Sequence, residues 1–379
     1  MRTAIVSDLH LGSGYGEDLL RDAAVRRTLL DEIAAAERLV LLGDVLELRE
    51  LPLPTVLEAA RPFFEELGKA MAGRQVLLLP GNHDHRLAEP LLERLALKGR
   101  PLGLDERAEP AGEAASRIAS WLGGAELWIA YPGAWLRPDV YATHGHYMDC
   151  HMSLPRLECI AAAATMRAFG PPPSPAGPAD YERILRPIYG LSYAMAQARF
   201  ARRAARPSEQ AWRAVAGAGN NGGAAGAGAR ARRGARRAAI GAAIPAGIWS
   251  LNRLLRAHFD ASLSAGAISH SGIAAATELS QRLGLDTAQV ITGHTHRGGP
   301  REDEPEWALP GGGRLHNTGS WVFASAFHHP GTPPGPYWPG TVTWLEEEGP
   351  PRRVHLLLDR PREELRETVR RISSATASA

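Results

Sequence analysis

Five times along this chain an apolar run stops at a small polar cluster beside a glycine. The runs are "VSDLHLG" (6–12), "LVLLGD" (39–44), "VLLLPGNHDH" (76–85), "VYATHGH" (140–146) and "QVITGHTH" (289–296). A buried strand keeps charge out of its interior, so the acids and histidines at these ends need partners. The repetition predicts that several strands end at one crevice. Carboxylate, imidazole and amide oxygen are the donors that first-row divalent cations accept, and no thiolate is among them. The Asp-x-His and His-x-His spacings put both side chains on one side of an extended strand end. Neighbouring glycines let the backbone turn sharply and leave room for a ligand.

The rest of the chain fits an α/β protein. Up to about residue 145, short apolar runs alternate with helical patterns, as at 55–72, where Val56, Ala60, Phe63, Leu67 and Met71 form one apolar face. Pro62 is expected to kink that helix or to start its second half. From about 288 the runs shorten between Gly and Pro, which reads as antiparallel strands. Two facing mixed sheets with helices outside are therefore expected.

Residues 151–275 are a different material, rich in Arg, Ala, Gly and Pro. Sixteen arginines there face five acids and no lysine, although the whole chain carries a net charge of only +2. The block is expected to be a helical cap, with a flexible low-complexity loop at 216–237 and an amphipathic helix at 243–259. Residues 1–150 and 276–360 then form the catalytic domain, and 361–379 a C-terminal helix and tail. Such local charge suits an anionic partner. Cys150 and Cys159 do not make a disulfide framework. No charged-then-apolar leader precedes the first run, and the least polar stretch, 238–251, is shorter than the roughly 20 residues of a membrane span. The expected location is the cytoplasm, with peripheral contact at the inner membrane face as a further option.

In this order, D-x-H, GD, GNHD, a lone HGH and GH-x-H resemble the signature of the calcineurin-like metallophosphoesterases, over roughly residues 1–150 and 286–325. The resemblance implies an αββα sandwich of two mixed sheets with two divalent ions at the strand ends, manganese first, with iron, zinc and cobalt as alternatives. Asp8, His10 and His296 would hold one ion, Asn82, His144 and His294 the other, and Asp44 would bridge them. A hydroxide shared by the ions would attack the phosphorus. His83 would stay off the metals to stabilise the phosphoryl oxygen or protonate the leaving oxygen, with Asp84 as its orienting acid. His85, His146, Arg297, Asn317 and Trp321 are candidate substrate contacts, with Ser320, Tyr147 and Asp149 beside them.

The "SDLHLG", "GDVLE" and "GHTHR" stretches and the helical insertion are similar to UDP-2,3-diacylglucosamine hydrolases. The chain departs from them in having His83 where they have an arginine, and in its longer, more basic insertion. The expected function is a phosphodiesterase, phosphomonoesterase or pyrophosphatase acting on a nucleotide-sugar or lipid-like substrate, with peripheral contact to an anionic membrane as an option. A nuclease of the same superfamily, its arginines tracking nucleic-acid phosphates, is the second reading. A scaffold without metals is the third.

Overall fold

The computed structural model describes residues 1–198, 247–260, 265–302, 304–305, 307–325, 328 and 333–378. Its strands are β1 (Thr3–Val6), β2 (Arg38–Leu42), β3 (Gln75–Leu79), β4 (Asp105–Ala108), β5 (Glu126–Arg137), β6 (Val140–Thr143), β7 (Gln289–Thr292), β8 (Trp307–Ala308), β9 (Arg314–Asn317), β10 (Thr341–Leu345) and β11 (Arg352–His355). They form one curled mixed sheet in the order β11-β10-β1-β2-β3-β5-β6-β7-β9-β8, with β4 on β5. The two expected layers are therefore halves of a continuous sheet. Strand β5 joins them: Glu126–Ile129 pair with β3, and Gly133–Arg137 pair with β6.

The period of two along each strand builds the sandwich. Val40 and Leu42 of β2, Leu77 and Leu79 of β3, Val140 and Ala142 of β6 and Ile291 of β7 pack into one inner layer. Their neighbours Leu39, Leu41, Val76 and Leu78 face outward, against helices α1 (Ala23–Ile33), α2 (Leu53–Ala70) and α4 (Glu113–Leu122), while α3 (Glu89–Leu97) lies beside β4. All five residues of the apolar stripe at 55–72 are buried. Helix α2 runs through Pro62 as one element, so the proline does not start a separate helix.

Between β6 and β7 come α5 (Leu157–Phe169), α6 (Pro178–Gln197), a helical stretch at 247–255 and α7 (Ala265–Arg282). Tyr181 and Leu185 of α6 and Ala275 and Leu279 of α7 share a core with Tyr141 of β6, Val290 of β7 and Leu315 of β9, so these helices cover the outer face of the second half-sheet. The expected boundary at 275 falls inside α7. Of the proposed 243–259 stripe, Ile248, Leu251 and Leu255 pack against this core and Phe259 is buried in it; Ile244 and the 216–237 loop lie outside the described residues. The C-terminal helix α8 (Arg362–Ser378) docks beside the first helical turns, with Arg21 Nη1 donating to Thr376 Oγ1 at 2.8 Å. Among the described residues, no helix is long and apolar enough to cross a membrane.

Candidate metal centre

Strands β1, β2, β3, β6 and β7 end at the same edge, and the polar clusters that follow them meet there. Asp8, His10 and His296 offer ligand atoms within 4.8 Å of one another, as do Asp44, His144 and His294, and Asp44 also groups with His10 and His83. His296 Nε2 lies 3.2 Å from Asp8 Oδ1 and 3.2 Å from His10 Nε2; His144 Nε2 lies 3.1 Å from Asp44 Oδ2. Asn82 Oδ1 is 3.1 Å from His294 Nδ1. All seven residues expected to hold metal are thus in one place, with Asp44 between the two groups.

The backbone there is unusual. Among the described residues six non-glycine residues have positive φ, and five are Asp8, His10, Asp44, His294 and His296, at φ 46–65°. A side chain held in this left-handed region costs of order 1–3 kcal/mol, which surrounding structure must offset. Asp8 N and His10 N donate to the carbonyls of Gly43 and Asp44, and Trp321 N donates to Asp8 O, clamping the turn from both sides. Close approach explains the adjoining glycines. A Cβ on Gly81 would lie 2.3 Å from Asp44 Oδ1, and one on Gly43 would lie 2.3 Å from the His144 ring.

The donor set fits cations. His10 Nδ1 is held by Glu47 at 2.9 Å, His144 Nδ1 by Leu42 O at 2.9 Å, and His294 Nε2 by Asp149 Oδ1 at 2.9 Å. Each contact assigns a proton to the outer nitrogen and leaves the inner lone pair facing the crevice. There those lone pairs meet acceptors, His294 Nδ1 against Asn82 Oδ1 for instance, an arrangement that repels without a positive charge between. Asp8 Oδ1 and His144 Nε2 are buried with no hydrogen-bond partner. Burial pushes the Asp44 carboxyl pKa up, but His144, His83 and His10 together hold it well below the ordinary range, so the acid stays ionised.

His83 donates its backbone N–H to Asp44 Oδ1 at 2.8 Å, and its ring lies edge-on to that of His10, with 4.5 Å between centroids. Its orienting acid is Glu47: His83 Nδ1 lies 2.6 Å from Glu47 Oε2, the same oxygen that holds His10. This corrects the expectation for Asp84, whose carboxylate accepts from the backbone N–H groups of Gly81 at 2.6 Å and Val45 at 2.8 Å and so ties the GD loop to the GNHD loop. Burial, outweighing Glu47 and Asp44, holds the His83 pKa below its ordinary value.

The expected substrate contacts divide. Arg297 and Asn317 line a small cleft whose other walls include Ile268, Ile273, Ala276 and Leu315, and Thr295, between His294 and His296, also lines it. Arg297 is buried, with Nε and Nη1 unpartnered. Asn317 also braces the His294 turn, donating to Gly293 O at 2.6 Å. Trp321 belongs to the core instead, its Nε1 donating to Thr341 O. His85 is committed to Glu182 of α6 at 3.0 Å; His146 meets the Tyr131 hydroxyl through Nε2 at 3.0 Å, while its Nδ1 is buried without a partner. Ser320 is buried, and the Tyr147 hydroxyl donates to Glu182 at 2.7 Å.

Sequence reasoning missed Glu47, Arg49, Glu158 and Glu182. Only Glu47 left a signal, three residues after Asp44 in the quoted "GDVLE".

The calcineurin-like phosphoesterase family model matches residues 1–168, which include six of these crevice residues, Asp8, His10, Asp44, Asn82, His83 and His144, but neither His294 nor His296. No curated protein matches the chain. That family uses divalent metal ions, and the clustered histidines and aspartates supply groups that could bind them. The first 168 residues thus match a calcineurin-like phosphoesterase domain, which indicates a metal-dependent phosphoric ester hydrolase.

Proposed function

We propose that this protein hydrolyses a phosphodiester or pyrophosphate bond in a substrate that carries an apolar group. Asp8, His10 and His296 would hold one divalent ion, Asn82, His144 and His294 a second, and Asp44 both. The observation that carries this reading is the convergence of inner-facing lone pairs and buried, unpartnered Asp8 and His144 atoms on one crevice. When bound, the ions would supply Lewis-acid stabilisation of the phosphoryl oxygens and an activated water.

The chain's own groups do the rest. Glu47 fixes the His10 and His83 rings through one oxygen. In its doubly protonated form, with Nδ1–H held by Glu47, His83 would turn Nε2–H to the crevice, able to hydrogen-bond a phosphoryl oxygen or hand a proton to the leaving oxygen. The apolar cleft under α7 begins beside His294 and His296, which supports an apolar substituent on the substrate. Among the described residues, six of the nine large apolar side chains left exposed (Leu157, Phe169, Leu191, Met195, Trp249 and Leu254) lie between β6 and β7, which favours a lipid-like over a purely polar substrate.

The test is hydrolysis of bis-p-nitrophenyl phosphate by manganese-loaded protein, with elemental analysis, followed by a panel of nucleotide-sugar pyrophosphates, phospholipids and DNA. Asp44→Asn keeps the acceptor for His83 N–H but removes the shared charge. Its rate should fall by more than about 10³-fold, as expected when several kcal/mol of charge stabilisation are lost. Undiminished turnover in Asp44→Asn would overturn the assignment, and a preference for single-stranded DNA would replace the lipid-like substrate with a nuclease.

A further inference from the structure

Next to His83 lies a group of charges that the metal centre does not use. Arg49, shortly after β2, has Nη1 3.3 Å from His83 Nε2 and Nη2 2.9 Å from Glu158 Oε1. Glu158 stands in the first turn of α5, and its other oxygen is 4.0 Å from Nε of Arg156, the residue that caps that helix. Two guanidiniums therefore share one carboxylate at the edge of the catalytic crevice. Their exposure is graded: the Arg49 and Glu158 side chains are 18% and 15% exposed, the Arg156 side chain 42%. An anion arriving from solvent meets Arg156 first, then the Arg49 fork.

Beyond Glu158, Arg49 also feels the charges of Glu47 and Asp44, and Arg156 that of Asp149, which hold both guanidiniums at the crevice. Tyr337, which lines the cleft with Arg297, also feels the charge of Arg156. A planar guanidinium can bind an oxyanion through paired hydrogen bonds, and Arg49 meets Glu158 through Nη2 alone, its Nη1 turned to His83. Glu158 occupies the place such an oxyanion would take.

We propose that Arg49 and Arg156 form a subsite for a second oxyanion of the substrate, one that is not transferred, and that Glu158 holds the two guanidiniums in position until this oxyanion displaces it. The inference rests on the reading above, in which the reacting phosphoryl group lies against His83. It makes Glu158, on an element outside the strand-end clusters, a determinant of specificity.

Two measurements test it separately from hydrolysis itself. On the full chain stripped with chelator, calorimetric titration with inorganic pyrophosphate should show affinity raised about tenfold in Glu158→Gln and lowered about tenfold or more in the double variant Arg49→Met/Glu158→Gln, the scale of one charge-assisted contact. The double variant removes both partners and avoids stranding a buried charge; Arg49→Lys, which keeps the charge and loses the fork, should fall between. On the manganese-loaded chain, kcat/KM is compared for two p-nitrophenyl phosphodiesters that differ only in carrying a second phosphate. Wild type should prefer the doubly charged ester, and the double variant should lose that preference. Pyrophosphate affinity indifferent to all three variants would overturn the subsite even if hydrolysis is robust. Arg49-dependent binding in a chain that hydrolyses neither ester would keep the subsite and overturn the proposed function.

Discussion

Asp8 and His10, and again His294 and His296, are two residues apart and reach the crevice because one strand end carries both. Helices α5 and α6 reach the same crevice through pairs 97 to 109 residues apart: His85 with Glu182, Glu89 with Arg186, and Arg49 with Glu158. At the strand ends, local backbone geometry decides position, and the side chains are donors for something else. On the helices, backbone geometry is ordinary and the side chains are themselves the attachment. Chemistry should therefore be breakable without loosening the helices, and the helices loosened without removing the ligands.

The largest effect expected from such a dissection is at His83. His83→Ala should retain both metals by elemental analysis and lose about 10²- to 10⁴-fold in turnover, the usual range for a positioned acid or base. The loss should shrink with p-nitrophenolate as leaving group, which needs no proton. An equal loss for all leaving groups would leave phosphoryl-oxygen stabilisation as the role, and a lost metal would break the separation of His83 from the ligands.

A smaller effect tests the helical side. Burial lowers the His85 pKa, but Glu182 and Glu89 outweigh it and carry it up to about 9. Because the folded value lies above the unfolded one of about 6.5, the charged contact stabilises fully below about pH 6.5 and is lost as pH rises through about 9. At about 1.4 kcal/mol per unit this is of order 3 kcal/mol. Hydrogen exchange along α6 should accelerate between pH 7 and pH 9 while metal content stays constant. His85→Gln should flatten the dependence; an unchanged slope in that variant would assign it elsewhere.

The smallest effect sits where the two regimes touch. Glu47→Gln should weaken metal affinity and rate together by about 10- to 100-fold, as outer partners of ligating histidines commonly do. A rate loss without an affinity loss would mean that Glu47 serves His83 alone.

The same contrast explains what could be read before folding. The ligands were legible because each adjoins an apolar run, and the spacing of two survives into the structure. The alternation of apolar runs with helical patterns in the first half and the shorter runs after 288 pointed to two sheets, but the continuity of the sheet through β5 depends on where a twelve-residue strand changes partners, which no local pattern marks. The acid for His83 was placed at Asp84, its chain neighbour, whereas the loop turns that carboxylate toward backbone N–H groups and leaves the position to Glu47. Trp321, beside a polar turn, looked available to substrate; its N–H finds Thr341 O and its ring is wholly buried. Glu158 and Glu182 gave no signal because their meaning depends on partners about a hundred residues away.

The left-handed backbone at Asp8, His10, Asp44, His294 and His296 has a consequence for how such a chain can change over generations. Asn and Gly tolerate that conformation best, whereas β-branched residues do not. Single replacements of these acids by Asn therefore relax the backbone or leave it untroubled while abolishing a charge. A lineage carrying this sheet can fall silent as an enzyme in one step and go on folding, free to be recruited for the surfaces that surround the crevice.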